Sequence, residues 1–148
     1  MAFERHIEEF ENRIEQSLAM GGARKLAARK AEGIMNARER VDRLVDPGTF
    51  FESGQFAQSI RPEMAGRAPA DGKITGFAKI EGREVAVVSN DFTVMGASSS
   101  DVNIAKVGHV KRVATSRGLP MVFLGESTGA RMPDVMGAVS IIGGHRPT

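Results

Sequence analysis

A chain of 148 residues with 41% hydrophobic and 26% charged residues has the length of one domain and ordinary globular composition, which excludes a coiled-coil rod and a disordered tail. The formal net charge is +2 with both signs spread along the chain, so the isoelectric point near 9.3 reflects no basic cluster of the kind that binds nucleic acid. Without cysteine there is no disulfide, thiolate metal site or cysteine nucleophile. No apolar run approaches the roughly 20 residues that span a bilayer, and the charged start (Met1-Ala2-Phe3-Glu4-Arg5-His6) is unlike a signal sequence. The expectation is a soluble, cytoplasmic protein with neither nucleic-acid nor membrane partners. Tyr and Trp are absent while Gly numbers 17, which favours close approach by backbone over stacking by aromatic side chains.

Ile7, Phe10, Ile14 and Leu18 recur at helical spacing between charged residues, and Met20-Gly21-Gly22 offers a stop. A second, more basic helix is expected from Ala23 to Gly33. Asn36-Ala37-Arg38-Glu39 approximates a capping box and opens a third helix carrying Val41, Leu44 and Val45, which ends at Asp46-Pro47-Gly48. Residues 1–48 therefore form an N-terminal helical segment whose apolar faces serve packing or assembly. Residues 49–70 read as an irregular linker that begins with a short strand at Thr49-Phe50-Phe51-Glu52. From Asp71 the pattern turns to β: Lys73 to Ile80, the two-residue turn Glu81-Gly82, then Arg83 to Ser89 make a hairpin. Ser98-Ser99-Ser100-Asp101 suits a helix start, Val102, Val107, Val110, Val113 and Ala114 share a helical face with Lys106 and Lys111 near its edges, and Gly118 closes the helix. The run Met121-Val122-Phe123-Leu124 suits a strand covered on both faces. After a Gly-rich turn, Pro133 marks the start of an apolar helix reaching Ile142. The order hairpin, helix, strand, turn, helix is an α/β layer with a right-handed crossover.

Side chains for chemistry are few. His6, His109 and His145 are scattered with no metal-ligand spacing, and Gly125 to Arg131 lacks both the spacing and the Lys of a phosphate-binding P-loop. What remains is backbone. A strand that runs through Ser127-Thr128-Gly129-Ala130 into a helix presents amide N–H groups at the helix's positive end, where small side chains admit a phosphate or a developing oxyanion. Spacing alone fits a plain turn as well. The loop Met95 to Ser100 also joins a strand to a helix, and the two loops would flank one crevice. Lys106, Lys111 and Arg112 are candidates to supply charge there, or form a solvated helix face.

Three separated motifs then point to a family. Ala37-Arg38-Glu39-Arg40-Val41 with Leu44-Val45-Asp46-Pro47-Gly48-Thr49-Phe50, Asn90-Asp91-Phe92-Thr93-Val94-Met95-Gly96, and Ser127-Thr128-Gly129-Ala130-Arg131 stand in order. The sequence resembles the carboxyltransferase subunits (β chains) of biotin-dependent acyl-CoA carboxylases of the propionyl-CoA and methylcrotonyl-CoA type. That resemblance implies a crotonase-like superhelix of strand–strand–helix units, here its N-terminal part, with residues 71–148 a partial acyl-CoA-binding domain preceded by the helices. It implies carboxyl transfer from carboxybiotin to an acyl-CoA and no metal in this chain. Biotin would be carried on a separate domain or subunit, with biotin carboxylase and carrier as partners and a homo-oligomeric assembly. Carried across, the backbone of Thr128 and Gly129, with Ala130 adjacent, forms the oxyanion hole, and Phe92, Gly96, Ala97, Ser98 and Ser99 line the CoA-side crevice. Thr128 departs from the family's Gly, and Ala97 stands where Gly is usual. The family's second domain, which supplies the biotin site, has no counterpart in the sequence, and Gly143 to Thr148 leaves the family pattern. The chain alone is therefore expected to lack turnover. A non-catalytic CoA-binding or assembly fragment, and a subunit of an acyl-CoA decarboxylase, share the motifs as alternatives.

Overall fold

The computed structural model describes residues 2–135. Helix α1 (Ala2–Leu18) carries the expected apolar stripe, but Phe3, Ile7, Phe10 and Leu18 are exposed, with Phe10 meeting Phe56 edge-to-face. Helix α2 (Ala23–Ala31) follows the Met20-Gly21-Gly22 break, and Met20 is buried. Helix α3 (Ala37–Leu44) has the capping box: the Asn36 side chain accepts from Arg38 and Glu39 amides, and the Glu39 carboxylate accepts from the Asn36 amide.

The sheet has the order β1-β2-β3-β4, with β1 (Phe51–Glu52), β2 (Lys73–Ile80), β3 (Arg83–Asn90) and β4 (Met121–Leu124). β1–β2 and β2–β3 are antiparallel, and β3–β4 is parallel, Ala86 facing Met121 and Ser89 facing Leu124. The hairpin turn falls where the sequence places it, with Glu81 and Gly82 both at positive φ, as a primed turn requires. Glu is an unfavourable residue there, and Asp46 offsets it by accepting both turn amides, from Glu81 at 2.9 Å and Gly82 at 2.8 Å. Between β1 and β2 the chain makes 3₁₀ turns at Pro62–Met64 and Pro69–Gly72, the second with Ala70 and Asp71 in the left-handed region.

Because side chains alternate along a strand, β3 feeds two cores. Val85 and Val87 join Met20, Ala37, Val41, Val45, Ala70, Ile74 and Ala78 on one side. Ala86 meets Val110 and Ala114 of helix α4 (Asp101–Arg117) on the other. The first of these clusters draws on the N-terminal helices, the 49–70 segment and the hairpin alike. Helix α4 is capped by Ser100 and closed by Gly118 in the left-handed conformation, as its sequence indicates.

Two expectations need correction. β4 is not covered on both faces: its side chains are half-buried and Phe123 is exposed, and separately it is an edge strand with no described partner on its outer side. The buried face of α4 runs through Asn103, Lys106, Val110 and Ala114, so Lys106 lies inside rather than on a solvated edge. Helix α5 begins at Met132 with Pro133 in its first turn and is described to Val135; its expected continuation to Ile142 and the Gly143–Thr148 departure lie outside the described residues. Among the described residues no helix is long and apolar enough to cross a membrane, and no group of three His, Cys, Asp or Glu could hold a metal ion.

Candidate functional site

Parallel pairing of β3 and β4 brings their carboxyl ends side by side, so the loops that leave them emerge together. Those loops pair along their length. The Thr128 amide donates to the Gly96 carbonyl at 2.9 Å, the Ser99 amide to the Gly129 carbonyl at 2.8 Å, and the Arg131 amide to the Ser99 carbonyl at 2.8 Å. The Ser127 hydroxyl adds a bond to the Ala97 carbonyl at 3.2 Å. Met95, Gly96 and Ala97 are all at positive φ, a run that needs such support to persist. Gly96 is required twice over, since a Cβ there would stand 2.6 Å from Thr128 Cγ2.

Beneath the loops lies a buried polar cluster. Asp71 is fully buried, with the Arg131 guanidinium at 2.6 Å and the Ser100 hydroxyl as its partners. Asn103 ties this group together, accepting from the Ser100 amide and donating to the carbonyls of Asp71 and Ser98. Lys106 Nζ donates to the Ala70 and Lys73 carbonyls at 2.7 and 2.6 Å, and Lys73 Nζ to the Ala97 carbonyl at 2.9 Å. Burial pushes Lys106 down to about 8 against the pull of Glu52 and Asp71. Burial and the neighbouring Arg131 likewise lower Lys73, against the pull of Asp71. Asp91 is raised by burial, opposed by hydrogen bonds from Thr93.

A second network ties the N-terminal helices to the 125–131 loop. Arg29 of α2 grips the Glu126 carboxylate through Nη2 at 2.6 and 2.7 Å, and Arg40 of α3 approaches it at 3.7 Å. Asn90 donates to the Glu126 carbonyl at 2.9 Å. Lys25 of α2 reaches the Thr93 carbonyl, and Gly21 packs so tightly on Thr93 that a Cβ would lie 2.1 Å from its oxygen.

The expected site residues land as follows. Gly96, Ala97, Ser98 and Ser99 are brought against Ser127, Thr128, Gly129 and Arg131, so the two loops do meet. Phe92 instead lies under the Arg29 guanidinium, 5.1 Å from its carbon to the ring centroid. The amides expected to be open differ in state. That of Thr128 is spent on Gly96; that of Gly129 donates to the Ser127 hydroxyl at 3.0 Å, a partner that can rotate away. That of Ala130 has no acceptor among the described residues, because the bridge to Ser99 uses the groups on either side of it. Lys106 is not available to an anion, both carbonyls above having claimed it, while Lys111 and Arg112 are exposed on α4. Sequence reasoning missed Asp71, Lys73 and Glu126. The available signal was Lys106 itself, which follows Asn103 by three residues and precedes Val110 by four, the spacing of one helical face.

A family profile described as the carboxyl transferase domain matches residues 28–144. The chain belongs to the carboxyl transferase domain family. Among its relatives is the propionyl-CoA carboxylase carboxyltransferase subunit of Haloferax mediterranei, 38% identical over 138 residues, which cover 90% of this chain and 27% of the relative. The methylmalonyl-CoA decarboxylase subunit alpha of Veillonella parvula is 33% identical over 137 residues, again 90% of this chain and 27% of the relative. Transcarboxylase 12S, solved with methylmalonyl-coenzyme A and methylmalonic acid bound, superposes with a TM-score of 0.84 at 34% identity, over 95% of this chain and 28% of that one. The chain thus spans about a quarter of the length of the relatives it matches. The crotonase-like expectation holds for this carboxyl transferase domain: β2, β3 and α4 form one strand–strand–helix unit within the superposed region.

Proposed function

We propose that this chain provides the acyl-thioester-binding part of a carboxyltransferase, which moves a carboxyl group from carboxybiotin on a separate carrier domain or subunit to the α-carbon of an acyl-CoA. The observation that carries this reading is the paired loops at the carboxyl ends of β3 and β4, inside the span that matches the family. Loss of the α-proton moves negative charge onto the thioester oxygen. Backbone donors fixed in place before the reaction stabilise that charge without reorganising, at ~3–4 kcal/mol per donor in known enzymes. Gly129 and Ala130 are the donors this geometry favours. Thr128 contributes its amide only where the bond to the Gly96 carbonyl is given up. In this reading Ser99 faces the neighbouring CoA-side crevice, while Ala97 and Ser98, both buried, support it from behind. No general base is assigned.

A decarboxylase subunit is the second reading, favoured by the similarity to the Veillonella parvula protein. It uses the same oxyanion donors, since loss of carbon dioxide from a carboxyacyl thioester leaves the same enolate. Both readings are tested by titrating the purified 148-residue chain with propionyl-CoA carrying ¹³C at the thioester carbonyl. Binding with a downfield shift of that carbonyl is expected, because N–H donors polarise it. A chain that binds neither propionyl-CoA nor CoA, or binds with an unshifted carbonyl, refutes the oxyanion role. Appreciable carboxyl transfer by this chain alone would contradict the assignment of the biotin site to another part.

A further inference from the structure

One carboxylate reaches both loops from beneath. Asp71 Oδ1 accepts from the Arg131 guanidinium at 2.6 Å, and Oδ2 accepts from the Ser100 hydroxyl. Arg131 directly follows Ala130 in one loop, and Ser100 closes the other. All three residues are buried. The Asn103 side chain donates to the Asp71 carbonyl at 3.0 Å and to the Ser98 carbonyl at 2.8 Å, which ties the Asp71 backbone to the 95–100 loop. At the far end of the 125–131 loop the Glu126 carboxylate is held by Arg29. Ser127, Thr128, Gly129 and Ala130 therefore lie between two ion pairs.

Ala70 and Asp71 are both left-handed, at φ 48° and 46°. Strain of that kind persists only where the surroundings over-determine it, and it collects at functional sites. A buried ion pair gains little stability over apolar packing of the same volume, because both charges give up water. What it does is hold its two partners in one relative placement. We infer that Asp71 is a positioning residue: one oxygen of its carboxylate holds each loop, and the spacing so set fixes the direction of the Gly129 and Ala130 amides. The chemical consequence rests on the oxyanion reading above; the link between the loops does not.

The test titrates the unaltered 148-residue chain, Asp71→Asn, Arg131→Lys and Asp46→Ala with propionyl-CoA carrying ¹³C at the thioester carbonyl. Hydrogen exchange is followed at the Ser99 and Thr128 amides, which bond across the loops. Asparagine tolerates the left-handed backbone but offers one oxygen and no charge. Lysine keeps the charge of Arg131 without its fork of donors. Asp46→Ala loosens the distant hairpin turn and gives the effect of lost stability alone. In both loop variants the two amides are expected to exchange at least about tenfold faster than in Asp46→Ala. The downfield displacement of the bound carbonyl falls by about half or more. Affinity stays within about threefold of the unaltered chain, because remote parts of the ligand keep their contacts. Asp46→Ala keeps the full displacement. A full displacement in the loop variants overturns the inference, as does an equal loss in Asp46→Ala, which marks a purely structural effect. Should Asp71→Asn fail to fold, Arg131→Lys decides. An unshifted carbonyl in the unaltered chain refutes the oxyanion reading instead, and the amide exchange then judges the link: faster exchange supports it, and unchanged exchange overturns it.

Discussion

Gly96 shows how narrowly single residues constrain the site. With φ +58° and Thr128 methyl carbon 2.6 Å from an added Cβ, Gly96→Ala is expected to cost about 1–3 kcal/mol in urea unfolding and to separate the loops, seen as loss of protection of the Thr128 amide in hydrogen exchange. Lys106 carries a pH dependence. Its proton is held less tightly in the folded chain, about 8, than in the unfolded chain, near 10.5, so the unfolded state binds more protons across that window. Stability is therefore expected to rise as pH goes from 8 to 10.5, by on the order of 3 kcal/mol from this group, and Lys106→Met should flatten that slope in denaturant titrations across the window. In the sequence Lys106 is one of several cations on a helix. Only packing of α4 against β2 and the Pro69–Gly72 turn makes it a buried one.

At the scale of elements, local chemistry is decisive where partners are near in sequence. The Asn36 and Ser100 caps, the Glu81-Gly82 turn and the Gly118 stop are legible because each depends on a handful of consecutive residues. The hairpin's dependence on Asp46 is not, because 35 residues separate it from Glu81. Asp46→Ala, which strips two turn amides of a charged acceptor, is expected to lower stability by about 1–2 kcal/mol. Glu81→Asn, better suited to the left-handed position, is expected to raise it by up to about 1 kcal/mol. Thermal melts of both variants check the pair. The covering of β4 is not legible for a related reason: four apolar residues in a row show that burial is wanted, and not which faces receive it.

The whole molecule is joined by long-range contacts that no local pattern announces. Arg29 and Arg40 converge on Glu126 and so set the loop bearing Thr128, Gly129 and Ala130 from helices far earlier in the chain, Arg29 by 97 residues. On α1, Phe3, Ile7 and Phe10 form a stripe that stays open to solvent, with Phe3 80% exposed. Contiguous exposed apolar surface of this kind favours association. Sedimentation velocity is expected to show concentration-dependent self-association, shifted toward monomer by Phe3→Ser with Ile7→Ser and with little change in the melt; a wholly monomeric unaltered chain would contradict this.

The succession of helices, hairpin, helix and strand is legible in the residues alone, as are the caps and turns between them and the two Gly/Ser loops that carry the family motifs. These follow from periodicity and from the preferences of neighbouring residues. The folded chain alone shows which amides remain open to a ligand, that the buried Lys73 donates to the Ala97 carbonyl, and that Asp71 and Arg131 pair beneath the loops. A hydrogen bond or ion pair between distant residues depends on where the whole chain folds back, and no short window of sequence contains that information.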